Sequence, residues 1–226
     1  MTKLEKLPAK ILAQQYKTIF SKKQFAFFEN SDYNLNIIGV RNDSGDASKF
    51  DDFINVIYKV NGAWVCDTYP VTTEPGPSIL RRPLKAVAHK GTAILVPGQY
   101  RSTYKIDWHG NQHKGHMALC QRGGQVSVWR DNNRDSTPDY HGPEDKGWYG
   151  INIHKHRGSD ARVNTGGASA GCQVFQSSKD FAEFMDTCDD ASKIYGNSFT
   201  YTLIQERDLI NKYLYLTINY KLSIWD

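Results

Sequence analysis

The chain has 226 residues, 39% of them hydrophobic and 12% aromatic, with a formal net charge of +4 and an isoelectric point near 8.7. That length suits one domain with a core of ordinary size plus an extension, and the mild positive balance permits an anionic polymer as partner without requiring one. No run of Lys and Arg interleaved with aromatics is long enough to track a phosphate backbone, and no stretch approaches the ~18–20 apolar residues of a membrane span, so nucleic-acid binding and membrane insertion are not expected.

In chain order, residues 1–30 read as a helix followed by a basic connector, because Leu4, Leu7, Ile11 and Leu12 recur at helical spacing. Lys3, Lys6, Lys10 and Lys17 with Pro8 break any continuous apolar core, so this segment does not read as a secretion signal. Strands are predicted at Leu35–Val40, Phe53–Val60 and Ala63–Thr72, the last two joined by a tight Asn61-Gly62 hairpin. Glu74-Pro75-Gly76-Pro77 reads as a rigid loop. Further strands are predicted at Ala93–Val96 and Met117–Cys120, and Gly123-Gly124 leads into Gln125–Arg130 as another hairpin. A loop-rich stretch from Asp131 to Lys146 precedes a strand ending at His154. Ser178–Ile194 is the clearest helix, with Ser177 and Asp180 as its N-terminal cap pair and Gly196 as its stop. Phe199–Ile204 reads as a strand, and Tyr213–Trp225 as an added edge strand. The expected fold class is mainly β with minor α, a sandwich or barrel with peripheral helices.

The four cysteines lack regular spacing and any Cys-x-x-Cys pair, so Cys66, Cys120 and Cys188 read as small packed hydrophobes rather than a disulfide framework. A reducing place of synthesis follows as the default. Asp131-Asn132-Asn133-Arg134-Asp135 matches the start of a calcium loop but lacks its Gly and its distal Glu. Such Asx-rich text is also common in turns, and calcium is left open. His109, His113, His116 and His141 meet none of the usual zinc spacings. No metal and no cofactor are expected, and His109 or His116 is a candidate wall of a cleft.

The chemistry concentrates in Gly166-Gly167-Ala168-Ser169-Ala170-Gly171-Cys172-Gln173-Val174-Phe175, preceded by Ile151-Asn152-Ile153-His154. A free thiol with a pKa near 8.5 is only a few per cent thiolate at neutral pH, and an imidazole beside it can serve as base. Small residues around Cys172 let the backbone turn sharply and a carbonyl approach closely. The amides of Gly171 and Cys172 are then candidates for holding an oxyanion. A Gly-rich loop with a buried thiol is the plain alternative.

In order and spacing, His154, Gly158, Ser169, Gly171 and Cys172 resemble the His-…-Gly-…-Ser-His-Gly-Cys signature of the L,D-transpeptidase (YkuD-like) catalytic domain. Gly91–Tyr100 resembles the Thr-Pro-x-Gly-x-Phe segment that precedes that block in the family. More loosely, the chain is similar to phage-borne cell-wall-lytic proteins carrying Asn-Ile-His and Ser-Ala-Gly-Cys-Gln. The resemblance implies an L,D-transpeptidase-like domain over residues 51–206, with residues 1–50 as an extension (helix plus first strand) and 207–226 as a C-terminal strand or extension. It implies Cys172 as nucleophile, His154 as base, Gly171 and Ser169 in the catalytic turn, and a backbone carbonyl at Lys155 or a neighbour holding the imidazole. Two departures bear on substrate: Ala170 stands where the family has His, and Val174 where it often has Arg or Asn. The expected substrate-binding set is therefore His156, Arg157, Arg162, Gln173 and Tyr100. The implied partner is bacterial peptidoglycan, and the implied reaction is cleavage of a stem or cross-link amide, with cross-link formation and a non-catalytic wall-binding or virion module as alternatives. Synthesis in the cytoplasm without a signal, then action on the wall after release or within a virion, is the matching expectation.

Overall fold

A computed structural model describes residues 8–85, 89–158 and 161–209. Helix α1 (Ala9–Lys23) is followed by strands β1 (Asn36–Arg41), β2 (Asp52–Val60) and β3 (Ala63–Thr72), then by one helical turn, α2 (Pro77–Arg81). Strands β4 (Thr92–Leu95), β5 (Gly98–His109), β6 (His116–Gln121), β7 (Val126–Asp131), β8 (Asp145–Gly147), β9 (Ile153–Lys155) and β10 (Gln173–Phe175) come next. Helix α3 (Ser178–Tyr195) and strand β11 (Phe199–Gln205) complete the described chain.

Eight strands close a barrel in the order β1-β11-β5-β6-β9-β10-β3-β2, and β4-β7-β8 form a separate three-stranded sheet. The fold is therefore mainly β, a barrel with few helices. Only β1·β11 and β9·β10 are parallel within the barrel. Closure removes the exposed edges an open sheet would present. The interior holds Ile37, Ile54, Val71, Tyr104, Leu119, Ile153, Phe175 and Leu203 among others.

A second apolar layer explains why β1 is buried along its whole length. Ile37 faces the barrel interior, whereas its neighbours Ile38 and Val40 pack with Leu12, Tyr16 and Phe20 of α1. Successive strand residues point to opposite faces, so a strand covered on both sides reads as a continuous apolar run. β1, assigned by sequence to the N-terminal extension, is thus a barrel strand between β2 and β11.

Several predicted elements fall within a residue or two of those observed. Asn61 and Gly62 carry the positive φ of 50° and 76° that a two-residue hairpin turn needs. Ser177 Oγ accepts from Asp180 N–H at 3.2 Å, and Gly196 ends α3 with φ 79°. One reading needs correction, and one strand, β5, had no sequence signal. Gly123-Gly124 does not close a β6–β7 hairpin: β6 belongs to the barrel and β7 to the small sheet. The two glycines cross from one to the other, and Gly123 N–H bonds Thr103 O at 2.8 Å, where a Cβ on Gly123 would stand 2.0 Å from Ser102 O. The twelve-residue β5 carries no clean apolar alternation, because Arg101, Ser102 and Lys105 are exposed and Ser102 (φ 52°) lies where the pairing with β11 shifts register. The predicted edge strand at 213–225 lies outside the described residues, as do Leu4 and Leu7 of the first helix.

Candidate active site

The pairing of β9 with β10 builds the site. It aligns Ile153 with Gln173 and His154 with Val174. Alternation then sends Asn152 and His154 to one side of the strand and Ile153 to the other. Cys172 precedes Gln173 and so stands opposite Asn152, two pairs along from His154 and on the same face of the sheet. The contacts agree: Asn152 N–H points at Cys172 Sγ at 3.4 Å, and the thiol faces Gly150 O at 3.4 Å. No hydrogen bond joins Sγ to an imidazole in this resting arrangement.

Three residues shape the turn that presents Cys172. Ser169, fully buried, donates its hydroxyl to Cys172 O at 2.7 Å and accepts Gly171 N–H at 3.0 Å. Gly171 has φ 121°, and a Cβ there would lie 2.4 Å from Ala93 O, so only glycine fits. Gly76 N–H anchors the loop through Ser169 O at 3.0 Å. This corrects the expected oxyanion pair, because the Gly171 amide is already taken by Ser169. Ser169 itself holds the loop rather than facing a substrate. Cys172 N–H has no hydrogen-bond partner among the described residues and remains available.

His154 is 7% exposed. Its Nδ1 lies 2.7 Å from Lys155 O, and since a carbonyl only accepts, Nδ1 carries the proton and Nε2 a lone pair. The His109 ring stacks on it with centroids 3.9 Å apart and planes 19° apart. His116 lies beyond, 5.4 Å from His109 and 6.2 Å from His154, and abuts Phe181 of α3. His109 and His116 meet because they are directly paired across the β5–β6 hairpin. Asn152 ties this cluster to the thiol. Its Oδ1 accepts Gln121 N–H at 2.9 Å, so its Nδ2 faces His109 Nδ1 at 2.9 Å. Neutral His109 therefore holds its proton on Nε2.

Burial sets the charge states. It pulls the His154 imidazole down to about 3, with the neighbouring His109 adding to the effect and the Lys155 carbonyl opposing it. His116 falls to about 4, first from burial and then from His109. His109 is lowered by burial, and then by Arg122 and Arg157. Burial pushes the Cys172 thiol up to about 11, against the pull of Asn152 N–H. At neutral pH the pair is thus a thiol and a neutral imidazole.

The expected substrate-binding residues are scattered. Arg157 is exposed and close enough to bear on His109. Arg162 is exposed, with its guanidinium over Gly166 at the back of the nucleophile loop. His156 is turned inward, its Nδ1 on Arg157 O at 2.9 Å and its Nε2 buried without a partner. Gln173 is fully buried, with its amide spent on Tyr201 O–H and Gly171 O. Tyr100 gives its hydroxyl to Val96 O at 2.5 Å and lines a groove of about 520 Å³ with Gln99, Ser127 and Glu144, away from Cys172. His113 and His141 are exposed and stand outside the imidazole cluster. Sequence reasoning left Asn152 out of the site residues, although it stands in the Asn-Ile-His run between the apolar residues Ile151 and Ile153, two before His154. Cys66, Cys120, Cys172 and Cys188 are all free thiols. Among the described residues, no three or more His, Cys, Asp or Glu side chains already stand close enough to hold a metal together, and no helix is long and apolar enough to cross a membrane. No family model, curated protein or solved structure matches the chain.

Proposed function

We propose that the chain is a peptidoglycan-active cysteine enzyme on an L,D-transpeptidase-like fold, cleaving an amide of the peptide stem or cross-link through a thioester on Cys172, in the manner of a phage-type endolysin. The observation that carries this reading is the β9·β10 register, which sets Cys172 beside Asn152 and next to a His154 whose Nδ1 is held by Lys155 O. In the reaction, the thiol turns from Gly150 O and gives its proton to His154 Nε2. Sγ bonds to the amide carbonyl carbon, and Cys172 N–H meets the oxyanion. The C–N bond breaks as His154 returns the proton to the leaving amine. Water, deprotonated by His154, then cleaves the thioester to a carboxylate and the free thiol. An amine from a second stem in place of that water would form a cross-link instead. The protein would meet the wall after release from the cell that makes it, or within a virion.

A second reading, a non-catalytic wall-binding module, is favoured by the exposed Trp108 (43%) and Trp148 (57%), aromatic faces suited to stacking on sugars. Incubating purified protein with peptidoglycan and analysing the products by mass spectrometry separates the two. New fragments from wild type and none from Cys172→Ala are expected, with His154→Gln slowed by roughly 10²–10⁴-fold. Identical products from wild type and Cys172→Ala sink the catalytic reading, and retained sedimentation with the wall would then support the module.

A further inference from the structure

We propose that the β7–β8 connection, Asp131 to Asp139, is a calcium site that clamps this loop beneath the nucleophile turn. The inference is independent of the Cys172 chemistry. Three carboxylates, Asp131, Asp135 and Asp139, fall within nine residues together with Asn133. Asp131 is fully buried at the end of β7, and its two oxygens differ. Oδ2 accepts Asp139 N–H at 3.0 Å, which aims the carboxylate into the loop, whereas Oδ1 is buried with no partner. A buried carboxylate oxygen left unpaired is costly, and a cation is one of the few groups that removes the cost. Asp139 and Asp135 also face it, and with burial they push the Asp131 carboxyl up.

The rest of the loop converges in the same sense. Asp135 and Asp139 each direct an oxygen at the Asn133 amide, at 3.0 and 3.1 Å. That NH₂ group therefore occupies the point between two carboxylates where a cation would bind, while Asn133 Oδ1 accepts Asp135 N–H at 3.1 Å, so a cation entering there has to turn the Asn133 side chain. The acids do not yet form a closed cage, so binding has to draw Asp131, Asp135 and Asp139 inward. Spacing at positions 1, 3, 5 and 9 supplies Asp131, Asn133, Asp135 and Asp139, with the Thr137 carbonyl at position 7 and water completing the shell. The donors are all oxygen, with no His or Cys in the segment, which selects a hard cation over zinc. Ser136 stands where a calcium helix-loop-helix has Gly, Gly142 stands where it has the bidentate Glu, and the left-handed residue is Arg134 (φ 62°). The site is thus a looser one, of the weak extracellular class with Kd on the order of 10⁻⁴–10⁻³ M.

Its position gives the ion a structural task. Ser136 Oγ receives Arg81 Nη1 at 2.6 Å, and Tyr140 sets its hydroxyl on Glu74 and its ring under Arg41. Glu74 is two residues from Gly76, whose N–H holds the nucleophile loop.

The test uses the full chain after chelation. Terbium is added and its emission excited through Trp129 and Tyr140, whose rings lie 6.2 Å apart beside the loop. Calcium is then titrated against it, and melting is followed with and without calcium. We expect sensitised emission displaced by calcium, and a Tm raised by about 3–5 °C at tenfold excess over Kd. D135N/D139N should weaken binding at least about tenfold while melting like wild type in chelator. No emission or Tm shift at about 10 mM calcium, an equal shift from magnesium, or unchanged calcium binding by the double variant overturns the proposal.

Discussion

At the residue scale, function rests on how the imidazole cluster sets His154. Burial and the stacked His109 hold it neutral down to about pH 3, and the Cys172 thiol keeps its proton up to about 11. The competent pair, thiol plus neutral imidazole, is therefore populated throughout the interval, and kcat/KM should be flat between pH 5 and 9. A break near 6.5 would show an ordinary imidazole and contradict this account. Replacing His109 by Ala opens the stack to water and removes an imidazole whose own protonation on acidification opposes that of His154. The acid limb should then climb toward pH 5–6, whereas a purely architectural role would lower the rate without moving it. Cys172 and His154, the proposed nucleophile and base, were legible in the sequence because they are chemical types at a recognisable spacing. His109 was singled out as a candidate cleft wall, but its stacking on His154 and the role of Asn152 were not legible, because they are defined by contacts across β5, β6 and β9. Gln173 was misread for the same reason: an amide beside a nucleophile looks like a substrate grip until its two ends are found on Tyr201 and Gly171.

At the element scale, the short strands β9 and β10 and the turn at Ser169–Cys172 that leads into β10 matter more than the long hairpins. Gly171→Ala places a Cβ 2.4 Å from Ala93 O at φ 121°, so overlap and strain together should cost about 2–4 kcal/mol. Urea denaturation reads this directly, and a loss under about 0.5 kcal/mol would mean the turn relaxes freely. Helix α3 was readable because its Ser177 cap, apolar stripe and Gly196 stop are all local. Strands β1, β2, β3 and β11 were readable because burial on one or both faces leaves apolar residues in series. β5 was not, since its partners and its bulge, rather than its own composition, make it a strand.

At the scale of the whole molecule, buried ionisable groups tie stability to pH from two sides. Among the described residues Arg41 is the one buried Lys or Arg; it stands 3.7 Å from Glu74, and its charge also bears on Asp52. Asp52 receives Asn42 N–H, Thr73 N–H and Thr73 O–H, while Glu74 receives Tyr140 O–H and stands 3.7 Å from Arg41. Glu74 receives fewer hydrogen bonds than Asp52, and burial followed by the Asp52 charge pushes its carboxyl up to about 8. The folded chain keeps a proton there that the unfolded chain releases above about pH 4.5, so this stability is present at low pH and lost as pH rises. His116 and His154 act oppositely: the unfolded chain takes up protons below about 6.5, the folded chain only below about 4 and 3, so their contribution is lost on acidification. Tm should peak near pH 6 and fall on both sides. Glu74→Gln, which keeps an acceptor for Tyr140, should flatten the alkaline fall, and a wild-type Tm that holds or rises from pH 6 to 9 would refute the assignment. By itself, the sequence determined what depends on residue type and near neighbours: a mainly β chain, its capped helix, and a cysteine and histidine of the types the proposed acyl transfer needs. Barrel closure, the parallel β9·β10 register, the imidazole stack and the placing of Arg41 near two buried acids were decided only by tertiary structure. Each joins residues far apart in the chain, where no local periodicity records which strand lies beside which.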